Sequence, residues 1–211
     1  MIDLYTWTTP NGRKVTIMLE ELGIPYTLHE INIGKGEQRE PDFLKISPNA
    51  KTPAIVDQET GISMMESGAI LQYLAEKTGK FLPTDPTKRW ATIEWLNWQM
   101  GGIGPMLGQI HHFNFYNQGK SEYAEERYLN EGKRLYDVLN RRLADNDFVA
   151  CDEYTIADMA TYPWIARYDR QGIDVADYEN ILRWYLNVTA RPAVQKGYNI
   201  PASDQKIPMP E

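Results

Sequence analysis

Three polar clusters between Thr9 and Ser67 carry side chains able to hold an anion. The first is Thr9-Pro10-Asn11-Gly12, a hydroxyl and a carboxamide at the predicted start of a helix. Both groups donate hydrogen bonds, and the helix dipole is positive at that end. Together they would stabilise a bound anion. The same residues are an ordinary helix entry, with Thr9 as N-cap and Pro10 in the first turn; one set of atoms can serve both purposes. The second cluster is Thr52-Pro53. A residue before proline is held extended, so the Thr52 backbone can pair with a bound peptide like an added strand. A proline that merely initiates a strand gives the same pattern. The third is Glu66-Ser67 at another helix start, where backbone amides and a hydroxyl suit a carboxylate and Glu66 suits an ammonium. A plain helix cap is the alternative.

Other reactive side chains carry less. Tyr5 lies in an alternating strand pattern and reads as a packing residue. Cys151 is the single cysteine, which excludes internal disulfides and a cysteine-rich zinc site. It reads as a buried free thiol. His111 and His112 are adjacent and point apart on a helix, so no metal site is expected. Phe113, Phe115 and Tyr116 suit either core or the wall of a pocket, and the six tryptophans read mostly as core. Gln38 and Lys51 read as solvated loop residues, and Arg127, among glutamates, as a surface ion-pairing residue.

The elements that must position these clusters follow from periodicity. Ile2 to Tyr5 alternates as a strand. Val15, Met18, Leu19 and Leu22 form an amphipathic helix stopped by Gly23 and Pro25. Tyr26 to Ile33 reads as a second strand, 53–57 and 62–65 as a hairpin, and the segment from Glu66 to Gly79 as a helix with Ile70, Leu74 and Lys77 on one face. The order is βαβ–ββα. After residue 86 the patterns are helical throughout. Gly101-Gly102-Ile103-Gly104-Pro105 is expected to bend or break one helix, and Thr155-Ile156-Ala157-Asp158 has capping-box form with Tyr154 and Met159 as a staple. Residues 178–190 are expected to form the last helix, ended by Arg191-Pro192, and the proline-rich residues 201–211 a loose tail. The expected domains are therefore 1–80 and 87–200.

With 42% hydrophobic and 24% charged residues in 211, global disorder and coiled coil are excluded. A net charge of −7 offers no attraction for nucleic acid or anionic lipid. No apolar run approaches the ~20 residues of a membrane span. Met1-Ile2-Asp3-Leu4 lacks a positive segment, so a cleaved secretory signal is not expected and a cytoplasmic location is.

This arrangement resembles the cytosolic glutathione transferases, and the resemblance covers essentially the whole chain. It rests on Ser47-Pro48-Asn49-Ala50-Lys51-Thr52-Pro53-Ala54-Ile55, on Glu66 to Leu74, on Thr155 to Asp158 and on Thr9 to Gly12. Asn97 to Gln109 and His111-His112-Phe113 are most similar to the bacterial nu class, the disulfide-bond oxidoreductase-like branch. The implied fold is α/β plus all-α, a thioredoxin-like βαβ–ββα domain followed by an all-helical domain. The resemblance implies glutathione, reduced or as its disulfide, as cosubstrate, and no metal. It implies Asn11 and Thr9 as activators of the sulfur. Thr52, a cis Pro53, Glu66 and Ser67 would bind glutathione, and Gln38 and Lys51 would face its glycyl carboxylate. Arg127 would reach the partner's site across a homodimer.

Two chemistries are then open, conjugation of an electrophile and reduction of a disulfide by a second glutathione. With no cysteine before Cys151, a glutaredoxin-like mechanism is excluded. The resemblance therefore implies a disulfide reductase that works without a protein thiol, with weak transferase or peroxidase activity beside it. A non-catalytic regulatory protein on the same scaffold is the rival; the retained Asn11, Thr52-Pro53 and Glu66-Ser67 speak against it.

Overall fold

The computed structural model describes residues 1–210, which divide into two compact units: 1–80 with 191–206, and 81–190 with 207–210. The first unit is built on a mixed sheet of strand order β2-β1-β3-β4, formed by β1 (Ile2–Thr6), β2 (Tyr26–Glu30), β3 (Ala54–Asp57) and β4 (Ile62–Met65). β1 pairs parallel to β2, with Leu4 opposite Leu28, and antiparallel to β3, with Leu4 opposite Ile55. The parallel pair requires a crossover, and α1 (Pro10–Leu22) supplies it. Helix α3 (Ser67–Thr78) packs beside α1, burying Ile70, Leu71 and Leu74. Lys77 on α3 reaches back to Asp57 and Glu59 at 2.7 and 2.6 Å, tying the β3–β4 turn to the helix.

The expected βαβ–ββα order is present, with local differences. β2 ends at Glu30 rather than Ile33, because the Asn32 side chain accepts from the amides of Gly34 and Lys35 and turns the chain. The segment before Ser47 holds α2 (Pro41–Ile46), anchored by the buried Phe43.

A larger difference concerns residues 191–206. Pro192 ends the preceding helix but also opens α9 (Pro192–Tyr198), since a first-turn residue needs no N–H. α9 packs along α1 within the first unit. The Thr16 hydroxyl donates to the Gly197 carbonyl at 2.7 Å, and Arg191 grips Glu21 with two bonds of 2.6 and 2.8 Å. The approach is close enough that a Cβ on Gly197 would stand 2.7 Å from the Ile17 backbone. The following residues, expected to be loose, are also tied: Gln205 accepts from Arg13 at 3.0 Å, and the Pro208 carbonyl accepts from Tyr185 in the second unit. Residue 211 lies outside the described residues.

The second unit is helical: α4 (Pro86–Trp98), α5 (Gly104–Ile110), α6 (Glu122–Ala144), α7 (Ile156–Ile165) and α8 (Glu179–Thr189). The glycine-rich segment does not break the helix. The run from Pro86 to Tyr116 is continuous and widens into π-helix at Gln99–Ile103 and His111–Tyr116. Gly104 and Gly108 serve packing: a Cβ on Gly108 would touch the Trp164 ring at 3.3 Å. Trp164 and Trp184 are core as expected, whereas Trp90 is 69% exposed and Trp7 lies outside any helix.

The capping box of α7 is formed. Asp158, fully buried, accepts from the Thr155 amide, the Val149 amide and the Trp184 indole at 2.8–2.9 Å. Replacing Asp158 by Ala strands those donors in the core, and we expect a loss of about 3 kcal/mol or more in denaturant unfolding of the whole chain. Gly197→Ala is expected to lower stability through the α1–α9 contact, read as a fall in thermal midpoint.

Candidate active site

The start of α1 is set by its own sequence. Thr9 is extended, and its hydroxyl oxygen accepts from the Gly12 amide at 3.0 Å, which leaves the hydroxyl hydrogen for another acceptor. Position 12 admits only glycine, because a Cβ there would collide with the Trp7 carbonyl and the Thr6 hydroxyl. Asn11 sits half-exposed in the first turn, beside the positive end of the helix. Tyr5 packs as expected, stacked on His29 at 4.4 Å and leaning on Phe43.

The Thr52–Pro53 peptide is cis, and both residues are buried where the chain enters β3. Ser47 donates to the Lys51 carbonyl at 2.8 Å and closes the loop before it. Lys51 itself is exposed, whereas Gln38 is half-buried with its carbonyl oxygen enclosed and unmatched by any donor.

Helix α3 begins differently from α1, α6 and α7, whose first-turn amides are each met by a Thr or Ser side chain. No side chain caps α3. Its N-cap position is Glu66, an exposed residue held at φ 70°, ψ 110°, a backbone conformation unfavourable for a residue with a Cβ. Ser67 follows, 3% exposed, and its Oγ accepts from the Lys14 ammonium at 3.4 Å. Lys14 is 1% exposed; burial pulls its pKa down to about 7, and Glu66 acts in the opposite direction. An uncapped helix start, a hydroxyl and a buried cation are chemically suited to a carboxylate, and the acidic side chain alongside is suited to an ammonium.

Among the expected site residues, Thr9, Asn11, Gln38, Lys51, Thr52, Pro53, Glu66 and Ser67 all belong to the first unit. Arg127 is on α6 in the second, exposed, and lines an open depression of about 620 Å³ with Tyr123, Tyr128 and Arg134. Cys151 is also in the second unit, buried, its thiol pushed up by that burial away from the reactive thiolate form. His111 is held neutral, its pKa drawn down to about 4 by burial and by the nearby Arg167 and Arg170, while it stacks on Trp164. Phe113 stacks on Tyr128 at 5.4 Å, and Phe115 and Tyr116 are exposed. Cys151, Asp152 and Glu153 could converge on a cation, but the Lys88 ammonium already stands 2.7 Å from Asp152.

Residues 4–82 match the family model of the glutathione S-transferase N-terminal domain, and residues 103–192 that of the C-terminal domain. The chain belongs to the glutathione S-transferase family. It is 50% identical over 198 residues to the disulfide-bond oxidoreductase YfcG of Escherichia coli, spanning 92% of each chain. A glutathione transferase from Pseudomonas putida, solved with one glutathione disulfide per subunit, superposes with a TM-score of 0.90 at 43% identity, over 95% of this chain and 92% of that one. A relative from Pseudomonas fluorescens, solved with two glutathione molecules, gives 0.87 at 42% identity over 93% and 92%. Among the described residues, no helix is long and apolar enough to cross a membrane.

Two transferase residues escape a reading of the sequence. In the sequence Arg13 and Lys14 are two adjacent charged residues within the α1 pattern. In the structure both are buried, Arg13 donating to the Tyr198 carbonyl at 3.0 Å with its guanidinium 3.6 Å over the Tyr198 ring. No local signal marks them, because their partners are 53 and 185 positions away.

The backbone at Glu66 yields a test. Glu66→Gly and Glu66→Ala both remove the carboxylate, but only glycine is at ease at φ 70°. The glycine protein is expected to be more stable than the alanine protein by about 1 kcal/mol in urea unfolding, the reverse of the usual order.

Proposed function

We propose that this transferase reduces disulfides with glutathione as thiol donor, using no protein cysteine. The observation that carries the reading is the uncapped start of α3 at Glu66-Ser67, in the same unit as the two donors on α1 and with no thiol in that unit. The γ-glutamyl carboxylate of glutathione meets the α3 amides and Ser67, and Glu66 pairs with its ammonium. Thr52 pairs with the cysteinyl backbone, and Gln38 and Lys51 face the glycyl carboxylate. Asn11 and Thr9 donate to the sulfur, favouring its ionised form.

The chemistry balances with two glutathiones. A first thiolate attacks one sulfur of the substrate disulfide, forming a mixed disulfide and expelling one thiolate product. A second glutathione thiolate attacks the glutathione sulfur of that mixed species, giving glutathione disulfide and the other product. Two glutathione thiols are oxidised, one disulfide is reduced, and the two protons released from glutathione end on the product thiols. The relatives solved with glutathione disulfide or two glutathiones support this stoichiometry. In this reading Arg127, exposed on α6, reaches the partner's glutathione across a homodimer in a cytoplasmic setting. Conjugation of electrophiles by the same thiolate is the second activity of the site.

Glutathione-dependent reduction of 2-hydroxyethyl disulfide, run beside conjugation of chlorodinitrobenzene, tests the reading. Reduction should be the faster reaction, unchanged in Cys151→Ala and lowered about tenfold or more in Asn11→Ala. Fast conjugation with negligible reduction would make this an ordinary transferase. Neither activity, with no glutathione binding, would favour the regulatory reading.

A further inference from the structure

Lys14 is not needed for the fold of α1 by any pattern in the sequence, yet it is buried against the one residue that opens the γ-glutamyl subsite. Its ammonium can only donate, so in the Lys14–Ser67 bond the serine oxygen is the acceptor. With its oxygen accepting from the α1 side, the Ser67 hydroxyl hydrogen points away from Lys14. The ammonium also stands at the end of α3 whose dipole is positive. Two positive ends together are unfavourable inside a protein, and Glu66 is the acidic side chain that acts on Lys14 against the cost of burial. A carboxylate arriving at the uncapped amides meets both at once and favours the charged lysine.

We propose that Lys14 is a positioning residue for glutathione: its bond to Ser67 turns the serine hydroxyl toward the γ-glutamyl carboxylate, and its charge balances that carboxylate from within the core. The proposal rests on the glutathione reading above and adds to it a residue that touches Ser67 rather than the ligand's sulfur.

Two ligands separate the possibilities in isothermal titration calorimetry of the full chain. One is S-methylglutathione; the other is its analogue with γ-aminobutyryl in place of γ-glutamyl, which keeps the amine and lacks the carboxylate. The unaltered protein should prefer S-methylglutathione by about tenfold or more, as expected for a charge-assisted hydrogen bond. In Lys14→Met that preference should collapse, with binding of the analogue little changed, and Lys14→Arg should retain it. A merely structural lysine would weaken both ligands alike. If Lys14→Met does not fold, Lys14→Gln, neutral and of similar length, makes the same comparison. A folded Met or Gln protein that keeps the full preference overturns the role of Lys14. No preference in the unaltered protein would instead overturn the placement of the carboxylate itself, and this proposal with it.

Discussion

The structure of the first unit turns on the burial of polar side chains along one helix. Arg13, Lys14 and Thr16 of α1 are all enclosed, and each bonds to an element other than its own helix. Arg13 and Thr16 bond to α9, and Lys14 bonds to the start of α3. A buried polar group without a partner costs on the order of 1–3 kcal/mol, so these bonds set where α1 can lie. Since Thr9 and Asn11 occupy its first turn, the same constraint positions the donors proposed to act on sulfur.

Signals that act between neighbours in the chain are legible in the sequence. The spacing of Val15, Met18, Leu19 and Leu22 defines α1, and Gly23 closes it in the left-handed conformation at φ 64°. Thr155 to Asp158 forms its capping box from residues three apart. Pairings across the chain were not legible. Nothing near Pro192 says that the helix it opens will lie on α1, because the contact that holds it there is Gly197 against Ile17, 180 residues away. Gly102 and Gly104 look like breakers in one dimension and prove to be contact points within a helical run that widens.

Legibility of the site follows the same division. Thr9, Asn11, Thr52-Pro53 and Glu66-Ser67 are visible because their chemistry depends on neighbours in sequence: a helix start or a proline. The uncapped start of α3 becomes visible only when its side chains are placed and none reaches the amides. Lys14 belongs to the same class, one charged residue among many in the sequence and a core cation in the fold. Cys151 shows the opposite case: it is conspicuous in composition, yet burial raises its pKa and removes it from thiolate chemistry.

In the proposed mechanism the donors at the start of α1 ionise glutathione's own sulfur. The most direct measurement is a pH titration of the thiolate absorbance of bound glutathione in the unaltered, Cys151→Ala and Asn11→Ala proteins. The account predicts a thiol pKa at least about one unit below the free value near 8.5 in the first two, returning toward it in Asn11→Ala. A bound thiol that titrates like the free one, or a depression unaffected by loss of the Asn11 amide, would contradict it.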